Sequence, residues 1–228
     1  MNGVGMYRDT RERTVALGRS LSEEQGRIVV PATPQWSVKD NFSHLAGAAA
    51  DITSGNLEGV ATDPWTAAQV DARRDMTLAE IVDEFESHGP AMDSLIESVG
   101  DAMDPRLFID EWTHEQDIRG AVGIPGGVDS EVVPWASPLV VGGWVASVAK
   151  RDMPALRVVC DGEEFAPDGA EAPVALTIDG YTALRVAVGR RSHEQMRALE
   201  WSGTEDPAPY FERMVAFTIA DRDVIDAL

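Results

Sequence analysis

The apolar pattern of this chain changes its period once, near residue 134, and that change limits the fold more than any other feature. Before it, apolar residues recur at helical spacing. After Ser37 they fall at 38, 42, 45, 49 and 52, one face of a 3.6-residue helix. Beyond it, short β-branched runs meet turn pairs. LRVVC runs into Asp161-Gly162, and VALTI and YTALRVAV flank Asp179-Gly180, the strongest short hairpin signal in the chain. Helices and strands segregated in this way imply an α+β protein. We expect a helical domain over residues 1–133 and a smaller α+β domain over residues 134–228.

Local signals subdivide the helical part. Residues 8–26 carry Val15, Leu17 and Leu21 among polar residues, and IVVPATPQW then breaks the pattern with two prolines. Ser37, with Asp40 three residues on, forms a capping box. Residues 55–65 read as a loop. Thr77 caps a helix over 78–99 that Pro90 kinks or interrupts. Asp104-Pro105 starts a helix that runs to about Val122 and stops at Gly123. Short helices are expected over 192–199 and 210–217.

Composition narrows the function classes. Asp and Glu number 39 against 19 Lys and Arg, for a net charge of −20. Nucleic acid and anionic membrane surfaces both call for cations, so neither is an expected partner. The longest uncharged run, 132–149, contains Pro134, Pro138, Gly142 and Gly143, and reads as a loop followed by a buried helix rather than a membrane span. Cys160 is the one cysteine, which excludes an internal disulfide and fits a reducing, cytoplasmic setting. It lies in a strand pattern, as a buried structural thiol would.

Four histidines remain as carriers of chemistry: His44, His88, His114 and His193. At about 100° per residue, His114 points the same way as Leu107, Ile118 and Ala121, into the core. Asp110 lies one turn before it on the same face, Asp117 beside it at i+3, and Glu111 on the other flank. Carboxylates and an imidazole aimed at an apolar core must be compensated. A metal ion does this, since it takes deprotonated oxygen and nitrogen ligands. His44, at the edge of the stripe after Ser37, offers a third ligand from a facing helix. Three protein ligands leave a position open, as in catalytic sites. Spacing alone also allows a buried His–Asp pair, with Asp110 and Asp117 paired to Arg106 or Arg119. Asp117 is a candidate support for a ligand imidazole and Glu111 a rival carboxylate ligand. Trp36 and Trp112 flank the ligands in sequence and are candidate pocket walls. His88 and His193 have no metal-like neighbours and read as solvated helix residues.

VPATPQWSVKDNFSHLAG resembles the signature of the DinB-like, mycothiol-dependent maleylpyruvate isomerase family, in which a Pro-x-Trp segment precedes a helix carrying an HL pair. DEWTHEQDIRGAVG resembles that family's acid-x-x-x-His element. VAVGRRSHEQMRALEW is similar to the small, sterol-carrier-like domain behind those bundles. The resemblance implies an up-down four-helix bundle followed by a small α/β domain, with His44, Asp110 and His114 as metal ligands. The family's acid is often Glu and here is Asp. Its arginine near the end of the C-terminal strand, in a Gly-Arg context, matches Arg190, which would pair with a substrate carboxylate. Zn2+ suits mixed His and carboxylate ligation, though iron, nickel or manganese accept similar donors.

The implied activity is isomerisation or S-transfer on a small electrophilic substrate, with mycothiol as thiol cosubstrate and a monomer or homodimer as the working form. The alternatives are a DinB-like hydrolase using a metal-bound water, and a non-catalytic ligand-binding or stress-response protein of the same fold.

Overall fold

Local caps set several boundaries of the first seven helices. The computed structural model describes residues 3–169 and 171–228, in two units. One runs to Gly127 and takes in Asp226–Leu228; the other is Val128–Ile225. Helix α1 spans Gly3–Ser20, and Ser22 caps the single turn α2, Glu23–Gly26, through a capping box with Gln25. The continuous helix expected over 8–26 is therefore two helices. Ser37 caps α3, Val38–Ser54, with the expected box to Asp40. Helix α4 is Asp63–Ala72. Thr77 caps α5, Leu78–Ser87, and the chain breaks at His88 before α6, Gly89–Val99, whose first turn carries Pro90. Helix α7, Arg106–Val122, ends on Gly123 in the left-handed conformation.

Helices α1, α3, α5, α6 and α7 each give the first unit an apolar stripe. Phe42, Phe85, Met92, Trp112 and Ile118 are at most 1% exposed. Helix α4 differs: its only buried residue is Gln69. It packs on α3 where position 47 is glycine. A Cβ there would sit 2.5 Å from Gln69 Cβ and 2.8 Å from an Arg73 guanidinium nitrogen.

The second unit contains α8 (Val132–Ala149), β1 (Leu156–Cys160), β2 (Glu163–Phe165), β3 (Val174–Ile178), α9 (Gly180–Ala187), α10 (His193–Arg197), β4 (Glu200–Ser202) and α11 (Ala208–Met214). The sheet order is β2-β1-β3-β4, with β1 and β3 parallel and the outer pairs antiparallel. Val141, Trp144, Val145 and Val148 of α8 pack with Leu156, Val158 and Cys160 of β1 and with Leu176 of β3. Helix α8 is long and apolar enough to cross a membrane by composition, and 44% of it is buried inside the structure.

Two expectations for this part fail. The loop read into 132–149 is helical throughout. Pro134 lies in the first turn, where a missing N–H costs little, and the helix accommodates Pro138 in its interior. Nor does Asp179-Gly180 turn a hairpin. Asp179 is extended, its Oδ1 accepts from Thr182 N at 2.8 Å, and it caps α9. The β1–β2 hairpin forms at the other Asp-Gly pair, where Asp161 and Gly162 take φ of 49° and 85°, as a two-residue primed turn requires.

Candidate metal centre

The Ser37 box fixes the start of α3. Asp40 Oδ2 accepts from Ser37 N at 2.8 Å while Ser37 Oγ accepts from Asp40 N. This start turns Asn41 and His44 inward, 0% and 4% exposed. Helix α7 presents His114, also buried, and Asp110, whose side chain is 47% exposed. The centre is thus enclosed at its imidazoles and open to solvent at its carboxylate.

The three side chains converge. Asp110 Oδ2 lies 3.3 Å from His44 Nε2, and Asp110 Oδ1 lies 3.6 Å from His114 Nε2. One ligand atom from each lies within 4.8 Å of the others. Neighbouring ligands of a tetrahedral zinc, with bonds of about 2.0–2.2 Å, stand about 3.3–3.6 Å apart, so this donor set fits such an ion.

Hydrogen bonds on the far side of each ring settle what the near side offers. His44 Nδ1 lies 2.8 Å from Gln69 Oε1, while Gln69 Nε2 donates to Asp51 Oδ2 at 2.7 Å. His114 Nδ1 lies 2.8 Å from Asn41 Oδ1, while Asn41 Nδ2 donates to Ser37 O at 3.0 Å. A carboxylate and a carbonyl only accept, so each amide must turn its NH2 to them and its oxygen to the ring. Each imidazole therefore carries its proton on Nδ1, and a neutral ring then has its lone pair on Nε2. Two such lone pairs facing one carboxylate repel it unless a proton or a metal cation lies among them. Supporting the outer nitrogen of a ligand histidine is a recurrent feature of metal sites.

The other sequence candidates fall elsewhere. Arg106 pairs with Asp104, and Arg119 with Glu115, so neither makes the ion pair with Asp110 or Asp117 that spacing alone allowed. Asp117, 2% exposed, lies 3.5 Å from His114 Nδ1, farther than Asn41. Glu111 is outside the cluster. Its carboxyl oxygens are buried without a hydrogen-bond partner, and burial holds it well above the usual carboxylate range, with Arg11 opposing. Trp112 is no pocket wall: it is fully buried, and its Nε1 donates to Gly127 O at 3.1 Å. Trp36 does reach the site, its ring centroid 5.2 Å from His44 and 5.9 Å from His114. The second indole there is Trp65 of α4, 6.5 Å from the His44 ring and edge-on to it. Sequence reasoning missed Trp65 and Gln69 because it read the start of α4 as loop. Asp63-Pro64 was the available signal, of the same kind that marked α7. Arg190 belongs to the second unit and follows α9, a helix rather than the expected strand; its Nη1 donates to Val188 O at 2.8 Å.

Compared with known families, residues 7–119 match the mycothiol maleylpyruvate isomerase N-terminal domain. That span contains His44, Gln69, Asp110 and His114. No curated protein and no solved structure matches the chain.

Proposed function

Since this chain belongs, through its helical unit, to the family of the mycothiol maleylpyruvate isomerase N-terminal domain, we propose that it is a metal- and mycothiol-dependent isomerase or S-transferase acting on a small electrophilic substrate. The observation that carries this reading is the convergence of two imidazoles, each with its Nδ1 against a side-chain amide oxygen, with the Asp110 carboxylate. In it His44, Asp110 and His114 are the ligands, and zinc is the ion that the mixed nitrogen and oxygen set suits best. When bound, such an ion supplies Lewis acidity that makes a thiol a nucleophilic thiolate at neutral pH.

The remaining work falls to the chain. The His44 and His114 rings, held from behind, keep their nitrogens aimed at one point. Asp110 supplies the negative charge and faces solvent, the side from which thiol and substrate arrive. Trp36 and Trp65 wall the imidazoles and exclude water. The up-down four-helix bundle, the sterol-carrier-like second domain and a cytoplasmic location belong to the same reading.

The test is elemental analysis of protein purified without chelator or metal-affinity tag, followed by calorimetric titration with mycothiol. About one metal per chain, and thiol binding that vanishes in His114→Ala, is the expected result. Metal-free protein sinks the reading. Metal-bound protein indifferent to thiols leaves a metal-dependent hydrolase.

A further inference from the structure

The polar attachment of α4 points to a device behind the ligands. Most helices of the first unit dock by apolar stripes, but α4 buries only Gln69. What holds it is polar: the Gln69 amide between His44 and Asp51, Arg73 paired with Glu84 of α5, and Lys39 Nζ donating to Arg74 O and Met76 O. Gly47 supplies the space, since any Cβ there would drive Gln69 off α3.

We propose that Gln69 is a positioning residue for the metal site, through which docking of α4 on α3 and metal binding by His44 are coupled. The proposal rests on the metal reading of that site. With α4 docked, Gln69 Oε1 takes the His44 Nδ1 proton bond and leaves Nε2 to the metal. With α4 undocked, Nδ1 loses the Gln69 acceptor. The neutral ring then does better with its proton on Nε2, donating to Asp110 3.3 Å away, and that tautomer cannot ligate. An ion that binds only the docked state must favour docking to the same degree that docking favours the ion.

The experiment uses the full chain, zinc with a competing chelator, and hydrogen exchange over residues 63–72. In the wild type, zinc is expected to slow exchange throughout α4. Gln69→Leu keeps the side-chain bulk but removes the acceptor, and zinc affinity should fall about 10–100-fold. Gly47→Ala leaves every donor in place and improves the helix propensity of α3, yet should also weaken zinc by displacing α4. Imidazole 15N shifts of zinc-free protein, at a pH where the rings are neutral, should move the His44 proton from Nδ1 to Nε2 in Gln69→Leu and leave His114 unchanged. Wild-type zinc affinity in both variants, or α4 exchange indifferent to zinc, overturns the coupling while the metal reading stands. Wild-type exchange alone decides the matter if the variants do not fold. A wild type that binds no zinc, or a His114→Ala variant that binds it normally, overturns the metal reading and this proposal with it.

Discussion

His44 and His114 offer the same nitrogen to the same carboxylate, but different kinds of structure hold them. His114 on α7 is supported by Asn41, which is 0% exposed and whose NH2 is bound to the first turn of α3. The helix carrying one imidazole thus orients the other, and packing of α3 with α7 presets His114. His44 takes its support from α4, a helix docked through polar groups. One imidazole is oriented by the packed core, and the other by a peripheral element. Apolar packing makes a site rigid, whereas polar docking makes it responsive to what binds there.

The largest effects should come from the proposed ligands themselves. His44→Ala and His114→Ala are each expected to reduce metal content from about one per chain to near zero while far-ultraviolet circular dichroism still reports a folded protein. Retention of metal in either would show that the two are not equivalent ligands. Next comes the carboxylate they share. Asp110→Asn should weaken zinc at least as much as loss of a supporting residue does, about 10–100-fold, whereas Glu111→Gln should leave zinc affinity unchanged. The reverse order would move the carboxylate ligand to Glu111.

Asn41→Ala separates core support from peripheral support. It should weaken zinc and also lower the unfolding free energy by about 1–3 kcal/mol in denaturant titration, because it leaves buried partners unsatisfied. An Asn41→Ala variant as stable as wild type would erase the contrast with Gln69. The smallest effect is expected outside the site. Burial, with the Asp161 charge adding, pushes the Cys160 thiol up to about 11. Below that pH it stays neutral, so native protein should resist iodoacetamide at pH 8, and Cys160→Ser should bind zinc and mycothiol as wild type does. Rapid alkylation of the native thiol would contradict its burial.

Much of the helical unit was legible because its signals are short-range. Ser37, Thr77 and Gly123 mark helix ends by local hydrogen bonding and backbone conformation. The i, i+4 spacing of Asp110 and His114 places both on one face of any helix that contains them. His44 followed from its place at the edge of the stripe after Ser37, and the resemblance to a family pointed to the same residue. Helix α4 escaped because it has no apolar stripe to betray it, and with it went Trp65 and Gln69. The two Asp-Gly pairs show a different limit. Both are good turns and both are good starts for a helix, since Asp caps as readily as it turns. After Gly162 comes Glu-Glu-Phe, which pairs back onto β1; after Gly180, Ala183, Leu184 and Ala187 bury a helical face.

The sequence by itself determined where the caps fall, which face of α7 carries the acid and the histidine, and that the chain changes from helices to mixed structure. Those properties depend on neighbours within about one turn, and the chain carries them wherever it goes. The tertiary structure decided which Asp-Gly pair became a hairpin, that Pro138 could sit inside a helix, and that Asn41 and Gln69 stand behind the two histidines. Those outcomes depend on residues distant in sequence, such as Asp51 and Gln69 meeting across the gap that Gly47 leaves open. A hydrogen bond of that kind has no local signature until packing brings its ends together.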